Sequence, residues 1–213
     1  MHAANQVADV VNMYQKLKSY LEQVSRDEIP ENRKAVLLEL RKYIAQIRAA
    51  AEPVRLNFIC THNSRRSHLS MIMAAVAAAY YDVKVETLSG GTEATAFNSR
   101  AVRAIEDAGF KVVNPGGENP AYEVYLSDES KPLICFSKRF DDPANGTSPY
   151  AAVMTCSHAD ENCPFIPEAD ARIPVRYEDP KAFDDTPEES KAYAERCRQI
   201  ASEMMWVFGG VDH

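Results

Sequence analysis

Tandem repeats, low-complexity tracts and long apolar runs are all missing from this sequence, and each absence excludes a class of protein. Without a repeat period, the chain cannot build a fibre or a repeat array. The longest nearly uncharged stretch, residues 71–81, is shorter than the ~20 residues that span a bilayer. The first residues also lack the ordered basic region, apolar core and cleavage site of a secretory leader. We therefore expect a cytoplasmic protein with no membrane partner.

Basic residues are in short supply as well. The 213 residues contain 24 Lys and Arg against 31 Asp and Glu, which gives a net charge of −7 at pH 7. Such a surface repels nucleic acid on average, so no nucleic-acid partner is expected and any anion site must be local. With 46% hydrophobic and 26% charged residues, the composition is typical of one globular domain, with or without an appendage.

The first fifty residues carry the period of amphipathic helices. Apolar side chains recur at three- and four-residue intervals in two stretches, namely Val7, Val10, Val11, Tyr14, Leu17 and Leu21, and then Val36, Leu37, Leu40, Tyr43, Ile44 and Ile47. A polar segment that ends at Pro30 separates them and is typical of a turn. We predict a helical hairpin over residues 1–52. Such helices pack against the rest of the chain or form a homodimer, and a regulatory role is the remaining alternative.

From Pro53 the pattern changes to alternating strand and helix signals, which is typical of an α/β fold with a mostly parallel sheet. Strands are predicted at residues 54–59, 83–88, 150–155 and 172–177, and a β-hairpin at 122–127 and 132–136. Helices are predicted at residues 66–81 and 98–108, and a last helix runs from an N-cap at Thr186 to about Phe208. We assign residues 53–213 to this second domain.

A cysteine follows the first of these strands, and an arginine lies six residues later at the start of a helix. Between them, the segment Cys60–Ser67 forms the polar loop CTHNSRRS. A strand-to-helix loop directs backbone N–H groups and the positive end of the helix dipole into one concavity, which suits a tetrahedral oxyanion. The same field favours the thiolate of Cys60, which makes it a nucleophile. The planar guanidinium of Arg66 can hold two oxygens of the anion, and the hydroxyl of Ser67 can donate to the thiolate.

The sequence thus predicts an oxyanion-binding loop that contains a nucleophile. The alternative is a structural cysteine at the end of a strand, since Cys and Arg meet at this spacing by chance in many proteins. The residues predicted to bind the oxyanion are Thr61, His62, Asn63, Ser64, Arg65, Arg66 and Ser67.

This loop resembles the phosphate-binding loop of low-molecular-weight protein tyrosine phosphatases and of the arsenate reductases built on the same fold. The segments Leu88–Thr92 and Asn98–Val102 are similar to the second strand, loop and second helix of those proteins. The resemblance implies a four-stranded parallel sheet flanked by helices, with the N-terminal hairpin as an addition. The active site would lie at the carboxyl ends of the strands.

Asp179, which precedes Pro180, resembles the general acid of this family. When a thiolate displaces an oxygen from an oxyanion, the leaving group needs a proton, and a carboxylic acid near the site supplies it. The alternative is an ordinary turn aspartate. The neighbouring carboxylates Glu178, Asp184 and Asp185 are expected to be solvated charges.

Two further cysteines, Cys156 and Cys163, follow the next buried strand. Along a helix, seven residues place both thiols on nearly the same face but ~10 Å apart, whereas a disulfide requires Cα atoms within ~7 Å. A bridge between them would therefore unwind the helix. Zinc binding is the alternative use of Cys156, His158 and Cys163, although a fourth ligand at suitable spacing is missing. Cys135 and Cys197 match no motif, and a buried apolar role is expected for both.

The spacing of Cys156 and Cys163 is similar to that in thioredoxin-coupled arsenate reductases. This resemblance implies that Cys60 attacks arsenate held by the loop and Arg66, and that Asp179 protonates the leaving oxygen. It further implies a Cys60–Cys156 disulfide that passes to Cys156–Cys163 and then to an external reductant. Thioredoxin would be that partner, with no tightly bound cofactor or metal. A low-molecular-weight phosphatase that forms a Cys60 phosphoenzyme is the first alternative, and a non-catalytic oxyanion or redox sensor is the second.

Overall fold

The computed structural model describes residues 12–147, 149–162, 166–167 and 169–211 of the chain. The apolar positions of the hairpin pattern that precede residue 12 lie outside the described residues, and so does Cys163. No helix in these ranges combines the length and the apolar character of a membrane span. The regular elements are α1 (Gln15–Gln23), α2 (Glu31–Ala49), β1 (Arg55–Cys60), α3 (Arg66–Tyr80), β2 (Glu86–Gly91), α4 (Ser99–Ala108), β3 (Lys111–Val113), β4 (Tyr122–Tyr125), β5 (Leu133–Cys135), β6 (Tyr150–Met154), α5 (Ser157–Asn162), β7 (Ala169–Ile173) and α6 (Glu189–Gly209).

Four parallel strands form the central sheet in the order β2–β1–β6–β7. In this register, Leu56 of β1 lies beside Thr87 of β2 on one side and Ala151 of β6 on the other. Parallel neighbours require a crossover connection, and α3 supplies the one between β1 and β2. The strand order and the parallel pairing confirm the predicted α/β fold with a four-stranded parallel sheet flanked by helices.

The two faces of the sheet contribute to different apolar clusters. Leu56 and Phe58 point from β1 into the larger core, which also contains side chains of α3, α4 and α6. Ile59 belongs to a smaller cluster that includes Cys156 and Ala159 at the start of α5. Because alternate residues of a strand face opposite sides, β1 contributes to both layers. The end of β1 therefore lies next to the segment that carries Cys156.

Helices α1 and α2 form the expected hairpin, with Pro30 at the N-cap position of α2. Leu17 and Leu21 of α1, together with Leu37 and Leu40 of α2, have no exposed surface and belong to the same core as α3 and α6. Full burial of one such side chain contributes about 1.5–3 kcal/mol relative to exposure. The apolar faces of α1 and α2 are thus covered within the chain. The homodimer and the domain division at residue 53 stay predictions.

Strand β2 lies three residues further along the chain than predicted. It covers Glu86–Gly91 instead of residues 83–88, because it continues through two glycines that read as a turn in the sequence. A Cβ on Gly90 would lie 2.3 Å from the Cα of Phe140, and one on Gly91 would lie 2.7 Å from the backbone N of Asn63. The glycines are therefore required by the close approach of other backbone segments, including the cysteine loop.

The ends of β7 and α6 also differ from the sequence prediction. β7 covers Ala169–Ile173 instead of residues 172–177, and Pro174, which follows it, has no N–H to extend the ladder. α6 begins at Glu189, and the hydroxyl of Thr186 donates to the carbonyl of Phe183 at 2.7 Å in the preceding turn. Thr186 is therefore a turn residue and does not cap the helix.

A second, antiparallel sheet contains β3, β4 and β5. The pairing of Tyr122 with Cys135 confirms the β-hairpin predicted at residues 122–136. Strand β3 was not predicted, because its three residues directly after the α4 C-cap at Gly109 are too few to show an alternating pattern.

Candidate active site at the end of strand β1

The loop Cys60–Ser67 connects β1 to α3 as predicted, with Cys60 ending the strand and Arg66 opening the helix. Asn63 has a φ of 44°, in the left-handed region that asparagine tolerates better than most residues. Its side-chain Oδ1 accepts a hydrogen bond from the backbone N of Lys138 at 2.9 Å. The N-terminus of α3 has no side-chain cap. This arrangement leads the loop into a helix N-terminus, which is the geometry that favours anion binding.

A short chain of hydrogen bonds ends at the sulfur of Cys60. The amide Nδ2 of Asn63 donates to the hydroxyl of Ser67 at 2.8 Å, and that hydroxyl lies 3.1 Å from Sγ of Cys60. Because the amide occupies an acceptor site of the hydroxyl, the hydroxyl hydrogen is available to donate to the sulfur. All three residues are buried. Ser67 thus lies where a hydroxyl stabilises a thiolate.

Several of the residues predicted to bind the oxyanion direct their side chains to other partners. The hydroxyl of Ser64 donates to the carbonyl of Ala96 at 2.7 Å, and the Nδ1 of His62 lies 3.2 Å from a carboxylate oxygen of Glu93. The guanidinium of Arg65 is turned toward α6, where its Nε donates to a tyrosine hydroxyl at 2.8 Å. These residues would therefore contribute to an oxyanion site through their backbone N–H groups rather than their side chains.

Arg66 binds the segment that carries Asp179. Its Nη2 donates to Oδ2 of Asp179 at 2.7 Å, and its Nη1 donates to the carbonyl of Tyr177 at 3.1 Å. The side chain of Arg66 is 14% exposed and that of Asp179 is 32% exposed. We call Arg66 the anion clamp, because its guanidinium is predicted to hold two oxygens of the anion. The structure places it in contact with Asp179, the predicted general acid, although 113 residues separate the two in the sequence.

Asp184 is not the solvated charge that was expected. Its carboxylate accepts from the hydroxyl of Tyr193 at 2.7 Å and from Nη2 of Arg65 at 3.2 Å, and its side chain is only 16% exposed. Arg100 of α4 lies 3.8 Å from the same carboxylate. Asp184 therefore ties the cysteine loop to the segment after Asp179, through partners that are distant in the sequence. Burial, followed by the hydrogen bond to Asp184, raises the pKa of Tyr193 to about 12.

Cys156 lies next to the loop and is 1% exposed. Its sulfur is 3.5 Å from the hydroxyl of Thr61, the residue after Cys60, and accepts from the backbone N of Ala159 at 3.3 Å. The same Thr61 hydroxyl lies 3.3 Å from Nδ1 of His158. Cys60 and Cys156 also belong to the same apolar cluster. The parallel neighbours β1 and β6 explain this, because the carboxyl ends of parallel strands meet at one edge of the sheet.

The described residues contain no group of three or more His, Cys, Asp or Glu side chains that could hold a metal ion. The zinc alternative also involves Cys163, which lies outside the described ranges. Cys135 and Cys197 are buried as expected, and burial raises the pKa of each thiol to about 12. Both therefore remain protonated at neutral pH.

A buried histidine lies on α3 close to the loop. The ring of His68 stacks on Phe97 with centroids 4.2 Å apart, and its Nε2 is 3.3 Å from the carbonyl of Phe136. Burial, and then the nearby ammonium of Lys138, lowers the pKa of His68 to about 3. The unfolded chain would bind a proton near pH 6.5. The unfolded state therefore binds more protons between pH 6.5 and 3, and stability falls as the pH falls through this range.

We expect the His68→Gln substitution to flatten the pH dependence of folding stability. Between pH 7 and pH 5, protonation of this one histidine in the unfolded state costs the wild-type protein about 2 kcal/mol. Urea unfolding at both pH values measures the difference, and the exposed His158, replaced by glutamine, is the control. An equally steep loss in the His68→Gln variant would contradict the assignment.

Sequence reasoning missed several residues that surround the site. Thr61 and Cys156 were both predicted, but their contact was not. It joins two loops that are 95 residues apart, and no local sequence pattern indicates such a contact. Tyr177 was also missed. Its position two residues before the predicted acid, Asp179, is a signal that could have identified it. Tyr193 lies in the second turn of α6, where an aromatic residue in an amphipathic pattern reads as part of the core.

No protein-family profile matches the chain, and a comparison with curated proteins finds no match either. Solved structures do match it. A low-molecular-weight phosphotyrosine phosphatase from Vibrio cholerae O395 is 14% identical over 72% of this chain and 93% of its own, with a TM-score of 0.47. A low-molecular-weight protein tyrosine phosphatase from T. tengcongensis is 15% identical over 71% of this chain and 95% of its own, also with a TM-score of 0.47.

A thioredoxin-dependent arsenate reductase from Corynebacterium glutamicum is 17% identical over 87% of this chain and 80% of its own, with a TM-score of 0.39. Identities and TM-scores this low transfer no activity from these proteins to this chain. The solved structures similar to the chain thus include both groups that its Cys60–Ser67 loop resembles.

Proposed function

We propose that this protein is an enzyme that reduces arsenate to arsenite through a Cys60 nucleophile. The observation that carries the proposal is the second buried thiol beside the loop, since Cys156 lies 3.5 Å from the hydroxyl of the residue that follows Cys60. Hydrolysis of a phosphate ester uses one thiol, whereas reduction of arsenic by a protein disulfide needs two. A third thiol at Cys163, seven residues further on, then carries the oxidation away.

The first half of the reaction uses the cysteine loop, Arg66 and Asp179. Arsenate binds to the loop N–H groups, and the fork of Arg66 turns from Asp179 to the oxyanion. Asp179, released from its ion pair, can then hold the proton that the leaving oxygen needs. The Cys60 thiolate attacks arsenic, the protonated oxygen departs as water, and a Cys60 sulfur–arsenic(V) bond forms.

The second half reduces arsenic with the other two thiols. The Cys156 thiolate attacks the Cys60 sulfur, and the electron pair of the sulfur–arsenic bond moves to arsenic, which leaves as arsenite. The Cys163 thiolate then attacks the Cys156 sulfur, which releases Cys60 as a thiolate and leaves a Cys156–Cys163 disulfide. A dithiol of the thioredoxin type supplies the two electrons that restore this pair. Such a cycle belongs in a reducing compartment, so we place the protein in the cytoplasm.

One observation favours a phosphatase as the second candidate. A cavity of about 440 Å³ beside Asp179 is lined in part by Phe183 and Arg196, and Phe183 is 45% exposed. An exposed aromatic ring next to the general acid suits the aryl leaving group of a phosphate ester, which could stack on it. Hydrolysis through a Cys60 phosphoenzyme would use the same loop, Arg66 and Asp179 without the other cysteines.

Parallel assays of the purified protein test the proposal. One contains arsenate with NADPH, thioredoxin reductase and thioredoxin, and the other contains p-nitrophenyl phosphate. We expect one arsenite per NADPH oxidised, because both conversions transfer two electrons. Hydrolysis of the aryl phosphate without arsenite formation would favour the phosphatase. Binding of arsenate without any turnover would favour the oxyanion sensor.

Asp160 stabilises the helical form of α5, which follows Cys156 and precedes Cys163 in the sequence. We call these two residues the relay cysteines. The carboxylate of Asp160 is 2% exposed and forms ion pairs with Arg172 of β7 and with Arg176, whose Nε donates to it at 2.5 Å. Formation of a Cys156–Cys163 disulfide requires α5 to unwind, because its thiols are too far apart in a regular helix. The ion pairs of Asp160 therefore oppose the opening that the relay needs.

We expect the Asp160→Asn substitution to open α5 more often in the reduced protein. Both arginines are partly exposed and can be solvated, so the loss of the pairs should lower the opening free energy by about 1–2 kcal/mol. Hydrogen exchange over residues 157–162, followed by mass spectrometry, should then accelerate roughly tenfold. The exposed Glu161 on the same helix, replaced by glutamine, is the control. Identical exchange in the Asp160→Asn variant and the wild type would refute the role of Asp160.

A further inference from the structure

Arg33 reaches from α2 of the N-terminal hairpin into the body of the protein. Its Nε and Nη2 donate to the two carboxylate oxygens of Glu203 in α6, at 2.8 and 2.7 Å. These side chains are 16% and 3% exposed. The same guanidinium lies over the ring of Tyr177, with Cζ 4.7 Å from the ring centroid. Because a bidentate pair fixes the plane of the guanidinium, Tyr177 packs against a rigid platform.

Tyr177 in turn anchors the segment that binds Arg66. Its backbone N donates to the carbonyl of Thr155 at 3.0 Å, its carbonyl accepts from Nη1 of Arg66, and its side chain is buried. Asp179, two residues later, accepts from Nη2 of Arg66. Both terminal nitrogens of the predicted anion clamp are therefore held by one three-residue segment. The ring of Tyr177 is the side-chain anchor of that segment.

We propose that Arg33 is a positioning residue for Arg66, so that the N-terminal hairpin is part of the catalytic unit. Arg33 and Glu203 hold the ring of Tyr177, and the ring fixes residues 177–179. The carbonyl of Tyr177 then keeps Nη1 of Arg66 in place when Nη2 turns from Asp179 to the anion. This inference rests on the proposed function, in which Arg66 clamps the oxyanion. A fork that is displaced by a fraction of an ångström loses one of its two bonds to the anion.

The chain offers a matched control in Arg41, which also attaches α2 to α6. Its Nε donates to the carbonyl of Val207 at 3.3 Å, and its guanidinium stacks on Trp206 with Cζ 3.6 Å from the ring centroid. These contacts lie one helical turn beyond Glu203 and fasten the hairpin to α6 instead of to Tyr177. Loss of Arg41 should therefore weaken hairpin packing without changing the clamp.

The experiment compares Arg33→Met, Arg33→Lys, Arg41→Met and the double variant Arg33→Met/Glu203→Met. The double variant matters because replacing a buried ion pair with apolar side chains is often neutral for stability, so the protein remains folded while the platform is lost. Thermal melting reports stability. Calorimetric titration with inorganic phosphate reports the affinity of the anion site that contains Arg66. Steady-state assays with arsenate and with p-nitrophenyl phosphate report kcat and KM separately.

We expect Arg33→Met and the double variant to lower kcat and to weaken phosphate binding, each by roughly tenfold. Lysine at position 33 should restore part of both, because it keeps the charge but lacks the planar fork. Arg41→Met should lower the melting temperature yet keep kcat and phosphate affinity within about twofold of the wild type. A folded double variant with wild-type phosphate affinity would overturn the proposal, and so would an equal loss in Arg41→Met.

Failure of the proposed function would be seen separately. If the wild-type protein neither reduces arsenate nor hydrolyses the aryl phosphate, the enzymatic proposal is wrong, but the phosphate affinities of the same variants still decide the role of Arg33. If the wild-type protein reduces arsenate but binds no measurable phosphate, the kcat and KM values of the same variants with arsenate decide the role of Arg33. The absence of both turnover and phosphate binding would overturn both proposals.

Discussion

We expect the Cys60→Ser substitution to abolish arsenate reduction and phosphate-ester hydrolysis alike, with a loss of at least roughly a thousandfold in kcat. Serine at this position keeps a side chain of similar size, but its hydroxyl is almost fully protonated at neutral pH and cannot replace a thiolate. The hydroxyl of Ser67, 3.1 Å from the sulfur, can stabilise a negative charge there but cannot remove a proton from an alcohol. Steady-state assays with both substrates measure the loss.

Binding of the oxyanion should survive in the Cys60→Ser variant. The loop N–H groups and Arg66 would hold the anion, and none of these groups is changed. Calorimetric titration with inorganic phosphate should therefore give an affinity within about threefold of the wild-type value. Cys197→Ser is the matched control, since it makes the same change at a buried thiol whose sulfur lies 3.8 Å from the carbonyl of Ala104 in α4. Turnover at the wild-type rate in Cys60→Ser would show that Cys60 is not the nucleophile and would contradict both proposed activities.

The architecture was accessible from the sequence because it depends on local patterns. A buried strand that ends in cysteine, a polar loop and an Ala- and Met-rich helix are consecutive in the chain, and β1, the loop and α3 follow them closely. The limits of β2 were not accessible, because Gly90 and Gly91 read as a turn. Glycine is needed at both positions because Phe140 and the cysteine loop approach the strand closely, and both are distant from it in the sequence. A glycine in a strand indicates that another segment approaches closely, but the sequence does not show which segment it is.

The candidate site divides in the same way. The expected loop and Asp179 could be chosen from residue type and neighbours, and the structure brings Arg66 and Asp179 together. Asp184 was misjudged, because an acidic residue in a turn reads as solvated until Arg65 and Tyr193 are seen beside it. A sequence pattern gives the chemistry that a side chain can perform, whereas its partners depend on the folded chain.

We expect the Cys156→Ser substitution to separate the two candidate activities. Arsenite formation should fall below about 1% of the wild-type rate, because the thiolate that breaks the sulfur–arsenic bond is lost. Hydrolysis of p-nitrophenyl phosphate should stay within about threefold of the wild type, since that reaction needs only Cys60. The serine hydroxyl can still accept from the backbone N of Ala159 and contact Thr61, so the start of α5 is preserved. The same two assays measure the separation.

Cys135→Ser is the control for a buried thiol outside the relay, because burial raises the pKa of Cys135 to about 12 and keeps it protonated. Both activities should persist in this variant. An equal loss of both activities in Cys156→Ser would instead indicate a structural role for this cysteine. Metal analysis of the purified wild-type protein would then test the zinc alternative.

The order of the relay is tested by trapping its first disulfide. In a Cys163→Ser variant, the Cys60–Cys156 bridge has no resolving thiol, so a single arsenate turnover should release one arsenite and leave that bridge in place. Mass-spectrometric mapping should find Cys60 joined to Cys156 in this variant and Cys156 joined to Cys163 in the wild type. The wild-type bridge forms only when α5 unwinds, so exchange over residues 157–162 should rise after oxidation while β6 changes little. Recovery of Cys60 joined to Cys163 in the wild type would show that the thiols act in another order.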